Sequence, residues 1–157
     1  MGGFSPSRRA LGAFLGAAVV AAVAGLSQPV WAGPINVNCS TQSLQAKINA
    51  APSGATLAVK GTCRGLFTIK KSITLEGAPS ATLDGRDRGT TLTVIGTPTV
   101  HLTRLTITGG LNATGAYSQG GGILHAGGPL ILRSVTVRDN AVVGVAPLGG
   151  GIYSSGG

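Results

Sequence analysis

Three observations predict an all-β fold whose short strands are wound into stacked coils, a solenoid. The first is an internal repeat. Gly120-Gly121-Gly122-Ile123-Leu124-His125-Ala126-Gly127-Gly128 returns 29 residues later as Gly149-Gly150-Gly151-Ile152-Tyr153-Ser154-Ser155-Gly156-Gly157. Val100-His101-Leu102-Thr103-Arg104-Leu105-Thr106-Ile107 returns 30 residues later as Leu130-Ile131-Leu132-Arg133-Ser134-Val135-Thr136-Val137. A fixed period of this size is the mark of architectures built by stacking. The second is an alternation of apolar with polar or small residues from Ala55 onward, each run bounded by glycine or another turn-former. The third is run length. Most runs are too short for hairpins to bury much, and tight two-residue turns are scarce. Stacking solves this, because each strand pairs with its equivalent one turn later, ~4.8 Å away.

The elements follow in order. Arg8 and Arg9, the uncharged apolar run Ala10 to Leu26, and Pro29-Val30-Trp31-Ala32 form the three regions of an export signal over 1–32, with cleavage at Ala32/Gly33. An uncleaved anchor is the competing reading. Ser7-Arg8-Arg9-Ala10-Leu11 also resembles a twin-arginine signal, so the Sec and twin-arginine routes both stay open. Either route places the protein outside the cytoplasm, secreted or at the cell surface. Residues 33–55 form an N-terminal cap segment. Within it Leu44, Ile48 and Ala51 share one face of a short helix over Thr41 to Ala51; Thr41 or Ser43 caps its start and Pro52-Ser53-Gly54 stops it. Such a helix must dock on something, and the open first coil is the surface available.

Residues 56–157 carry the coils, about three to four of them. Strand runs are read at 56–59, 67–69, 73–75, 81–83, 91–95, 100–107 and 130–137. The pleat points Leu102, Leu105 and Ile107 inward with Leu132, Val135 and Val137 stacked on them, and makes Ile123 and Ile152 a further inner pair. Thr103, Thr106 and Thr108 face outward. The Arg104-Leu105 and Ser134-Val135 steps mark a bend. Each fully buried aliphatic side chain contributes about 1.5–3 kcal/mol. Asn140 stands where a corner asparagine can stack. Leu111 to Gln119 and Ala141 to Leu148 read as loops leaving one corner of adjacent coils, either a binding face or spacer. The last coil stops where its next strand is due, which predicts further coils beyond Gly157.

After removal of 1–32 the chain carries ten basic and four acidic side chains, a net of +6. No basic cluster exceeds Lys70-Lys71 or Arg86-Asp87-Arg88, and Phe67, Tyr117 and Tyr153 are the remaining aromatics. Nucleic-acid binding needs a denser basic stripe with aromatic platforms, so that class is set aside. Attraction to an acidic polysaccharide or cell-envelope glycan remains open beside plain solvated charge. Cys39 and Cys63 are the only cysteines, and in an exported chain they favour a disulfide over free thiols. Asn38-Cys39-Ser40 and Asn112-Ala113-Thr114 match the glycosylation sequon.

Ser43-Leu44-Gln45-Ala46-Lys47-Ile48-Asn49-Ala50-Ala51-Pro52, followed by Gly61-Thr62-Cys63-Arg64-Gly65, resembles the N-terminal start of the pectin-lyase-like superfamily. Ser72-Ile73-Thr74-Leu75-Glu76-Gly77 and Ala81-Thr82-Leu83-Asp84-Gly85 are similar to its first coil. The Gly-Gly-Gly-Ile copies, with Val135-Thr136-Val137-Arg138-Asp139-Asn140, are similar to repeats of bacterial polymorphic outer-membrane proteins. The resemblance implies a right-handed parallel β-helix. It does not imply one function, since the superfamily holds enzymes, adhesins and structural proteins.

Lyases of this superfamily resemble one another in a calcium site of clustered acidic residues, and its glycosidases in aspartates converging on one face. Oxygen ligands hold calcium, and a carboxylate pair supplies acid and base. After residue 32 the acidic residues are Glu76, Asp84, Asp87 and Asp139, and of these only Asp84 and Asp87 are close in sequence. They read as turn chemistry. No catalytic residue, metal site or cofactor is assigned. Asp84, Arg86, Asp87, Arg88, Arg133 and Arg138 are the candidates for polar or glycan contact. His101 and His125 read as surface histidines. The expectation is a non-enzymatic, exported surface module that is structural, adhesive or glycan-contacting, with self-association open to it through its C-terminal coil. The alternative is the N-terminal piece of a polysaccharide lyase or glycoside hydrolase whose catalytic coils lie beyond Gly157.

Overall fold

The computed structural model describes Met1, residues 33–115 and residues 117–156. The export signal read over 1–32 lies, apart from Met1, outside the described residues. From Gly33 onward the chain forms β1 (Ile35–Asn38), α1 (Leu44–Ala50), β2 (Thr56–Arg64), β3 (Phe67–Ile69), β4 (Ile73–Asp84), β5 (Leu92–Ile95) and β6 (Val100–Thr108). It continues with β7 (Leu111–Asn112), β8 (Ile123–Ala126), β9 (Leu130–Arg133), β10 (Thr136–Val137), β11 (Ala141–Val142) and β12 (Ile152–Ser155).

Every strand pairing among the described residues is parallel. One sheet runs β1-β2-β4-β6-β10, with β9 also on β6; a second runs β3-β5-β8-β12; β7 and β11 form a third. The partner of each strand lies well along the chain rather than across a tight turn, and for β6–β9, β6–β10, β7–β11 and β8–β12 the offset is the repeat itself, 30 residues for the first three and 29 for the last. Leu57, Leu75, Leu102 and Leu132 stand in register, with Ile35 beside Leu57. Cys63, Leu83, Ile107 and Val137 make a second apolar column, and Phe67, Leu92, Ile123 and Ile152 a third. Leu57, Leu75 and Leu102 are fully buried, while Leu132 in the last layer is 38 % exposed. Ile123 is likewise buried and Ile152 is 40 % exposed. Leu132 and Val137 therefore stand in register with Leu102 and Ile107, and Val135 packs against the core, but none of the three is sealed, because among the described residues no further strand lies over them.

The bend is visible in the backbone. Arg104 and Ser134 both take left-handed conformations, φ 53° and 52°. Arg104 uses its side chain to hold the place: Nε donates to Gly77 O and Pro79 O at 3.1 Å each, and Nη2 pairs with the Glu76 carboxylate. Those contacts tie down the register shift of β4 between Glu76 and Ala81. The runs read separately at 73–75 and 81–83 thus belong to one strand of 12 residues, and 56–59 is the start of a strand of 9. Alternation fails across the shift, and that hid the continuity. The run at 130–137 divides instead, since Ser134 turns the chain and leaves β9 and β10 apart. The segments 111–119 and 141–148 are not loops throughout. They open as the paired strands β7 and β11 and close with a parallel bridge between Gln119 and Leu148.

Helix α1 begins later than the sequence suggests. Ser43 is its N-cap, accepting from the Ala46 amide, and Thr41 is spent in the preceding turn. Leu44, Ile48 and Ala51 are buried as the spacing predicts. Cys39 and Cys63 form a disulfide with Cα atoms 4.9 Å apart, fastening the cap segment to β2. Gln45 closes the free edge of β3: its Oε1 accepts from Thr68 N at 2.7 Å and its Nε2 donates to Thr68 O at 3.1 Å. One side-chain amide thereby satisfies a strand edge that otherwise invites pairing with another chain.

Candidate functional site

On the outer face of the first sheet, Thr62, Thr82, Thr106 and Thr136 stand in one register across β2, β4, β6 and β10. The residues after them, Cys63, Leu83, Ile107 and Val137, fill the core, so alternation turns the threonines outward. Two residues beyond lies the column Arg64, Asp84 and Thr108, with Arg64 Nε 4.0 Å from Asp84 Oδ2. A rank of hydroxyl and methyl groups thus repeats at the strand spacing of ~4.8 Å along a stiff sheet.

The sequence-predicted site residues fall into separate places. Asp84 Oδ1 accepts from Arg86 N at 2.9 Å, Asp87 N donates to Gly109 O at 2.7 Å, and Arg88 N donates to Gly85 O at 3.3 Å. Arg86 and Asp87 both have left-handed backbones, φ 56° and 55°. Asp84 to Arg88 therefore form a turn held by its own side chain and by the neighbouring layer. Arg133 lies in register with Thr103 on the other side of the bend, and Arg138 pairs with Asp139. The six candidates do not converge on one point. Among the described residues no three His, Cys, Asp or Glu side chains come together.

His125 corrects the expectation of a surface histidine. It is 3 % exposed. Two residues after inward-facing Ile123, it shares that face and belongs to the inner column Ile69, Val94, His125 and Ser154. Its Nε2 lies 2.8 Å from Gly128 O and its Nδ1 2.8 Å from Ser154 Oγ. A carbonyl only accepts, so Nε2 carries a hydrogen and donates to Gly128 O, while Nδ1 and the Ser154 hydroxyl share a second hydrogen bond. Ser154 at the matching repeat position shows that the repeat does not require imidazole there, and says nothing of which way the residue faces. His101 is half-buried, in register with Thr74 and Ile131.

A second feature carries no sequence signature beyond the Lys70-Lys71 pair. A depression of ≈ 470 Å³ lies between α1 and β3, lined by Gln45, Ile48, Asn49, Leu66, Thr68, Lys70 and Lys71. Lys71 Nζ donates to Asn49 O at 2.8 Å and Ala51 O at 2.9 Å, which places a charge on the carbonyl end of α1. That is the end where a cation is favourable. Gln45 and Asn49 became linked through the helical i, i+4 spacing, Gln45 Nε2 donating to Asn49 Oδ1 at 2.8 Å.

The fold and these surfaces define an all-β chain of parallel sheets with one short helix and a disulfide-fastened N-terminal segment. No family model, no curated protein and no solved structure matches the chain.

Proposed function

We propose that the chain is a right-handed parallel β-helix of about three to four coils, of the pectin-lyase-like kind, exported and used as a non-enzymatic surface module. It acts as a stiff display face for an acidic polysaccharide or cell-envelope glycan, and its last coil self-associates. The observation that carries this reading is the outward threonine column on four parallel strands, backed by a mainly apolar interior. A glycan laid along that column meets hydroxyls for hydrogen bonding and methyls for its apolar faces at a regular spacing. The excess of basic over acidic residues adds long-range attraction to an acidic chain, weakened by salt. The disulfide between Cys39 and Cys63 suits an oxidising compartment.

The test is a pull-down of the 33–157 chain on immobilised acidic and neutral polysaccharides at low and high salt. Retention on acidic polymers that is lost at high salt, and lost again in Thr82→Glu/Thr106→Glu, is the expected result. Failure to bind any polymer removes the glycan-contact reading.

A further inference from the structure

We infer that the depression between α1 and β3 is a binding site for one anionic sugar residue, its carboxylate held by Lys71, Lys70 and Asn49. This rests on the glycan-contact reading above and names a place for the charge that the threonine column does not provide.

The argument is a balance of donors and acceptors. Lys71 has three N–H donors, of which two are fixed on Asn49 O and Ala51 O. The third is left over on an ammonium whose position is already set. Asn49 accepts from Gln45 through Oδ1, which fixes the flip of its amide and leaves both N–H groups of Nδ2 without a protein partner among the described residues. Lys70 is exposed and lines the same depression. Gln45 spends both N–H groups, on Thr68 O and Asn49 Oδ1, and its Oε1 accepts from Thr68 N. Its role is therefore to position the site. The polar groups with capacity left at the charged end are donors, and no carboxylate lines the depression. An acceptor-rich anion is the complementary ligand. Leu66, 45 % exposed, supplies an apolar wall. That wall suits the C–H face of a pyranose ring better than it suits a bare inorganic ion.

The experiment is calorimetric titration of the 33–157 chain with a hyaluronan hexasaccharide, whose only charges are carboxylates, and with neutral maltohexaose as the reference. The expected result is binding of the first and not the second. Asn49→Asp keeps the acceptor for Gln45 but replaces two donors by a like charge, and Lys70→Gln removes a cation. Each is expected to weaken binding at least about tenfold, as loss of a charge-assisted contact does. Lys60→Gln, equal in charge change but remote from the depression, is the control and is expected to bind as the parent chain does. Far-UV melts that superimpose on the parent curve establish that the variants are folded. Parent binding with Asn49→Asp and Lys70→Gln unaltered overturns this site and leaves the glycan reading standing. Equal weakening by all three variants also overturns it, because it marks diffuse attraction. Absence of binding by the parent chain defeats both.

Discussion

Asn140 joins three backbone groups with one amide. Its Nδ2 donates to Ile107 O at 3.0 Å and Arg138 O at 2.9 Å, and its Oδ1 accepts from Gly110 N at 2.8 Å. Gly110 has no room for a side chain, because a Cβ there would meet the carbonyl of Gly121. A corner with no space for another polar group must be satisfied by a residue reaching in from the next layer, and asparagine carries both a donor and an acceptor. Asn140→Ala leaves the Gly110 amide without its partner and is expected to cost about 1–3 kcal/mol. Urea denaturation monitored by far-UV circular dichroism measures it; a midpoint equal to that of the parent chain would mean the amide is dispensable. The sequence offered one asparagine at a corner and no second copy, so its partners could not be read from it. His125 was misjudged on the same scale: a polar residue on an apolar face is buried when a carbonyl and a hydroxyl wait for it, and neither belongs to its own strand.

At the scale of elements, the inner columns make a graded prediction. Leu102 has an in-register leucine on each side, Leu75 and Leu132, and is fully buried, whereas Leu132 has one such neighbour among the described residues and is 38 % exposed. Leu102→Ala should cost about 2–5 kcal/mol, as in other buried Leu-to-Ala changes. The same change at Leu132 should cost well under half of that, both read from chemical denaturation. Equal costs would contradict the layered arrangement. The exposed residues Leu132 and Ile152 also place apolar area beside strands with one unpaired edge. Sedimentation velocity of the 33–157 chain is therefore expected to show concentration-dependent association that Leu132→Lys removes, and a concentration-independent monomer contradicts that expectation.

Legibility differed by element for physical reasons. Strands β3 and β5 are legible because a buried and a partly exposed side alternate with no interruption, and β6 because its one interruption, at Arg104, recurs at Ser134 in the repeat. β1 is hard to read because, although Ile35 and Val37 alternate with Asn36 and Asn38, four residues carry little weight alone. The two-residue strands β7 and β11 leave no period to detect. β4 was split because Gly77 to Ser80 break the pleat, and only Arg104, 27 residues from Gly77, explains how that break is held. The helix was legible in its apolar face, but its end was set by which of two hydroxyls reached the amide.

For the whole molecule, the repeat, the columns and the shift of exposure toward the last layer express one arrangement. Each strand rests in parallel on its equivalent from the preceding repeat, and the disulfide and α1 close the N-terminal side. The candidate contact residues were legible only as charges. Their separation around the bend, and the donor-rich depression at the helix, depend on register and on hydrogen bonds between distant segments. The most direct test of the arrangement is a methyl–methyl NOE spectrum of the leucine- and valine-labelled 33–157 chain. The account predicts cross-peaks linking Leu57 with Leu75, Leu75 with Leu102, and Leu102 with Leu132. A spectrum with resolved leucine methyls that lacked these contacts, or that joined Leu75 to Leu132 directly, would contradict it.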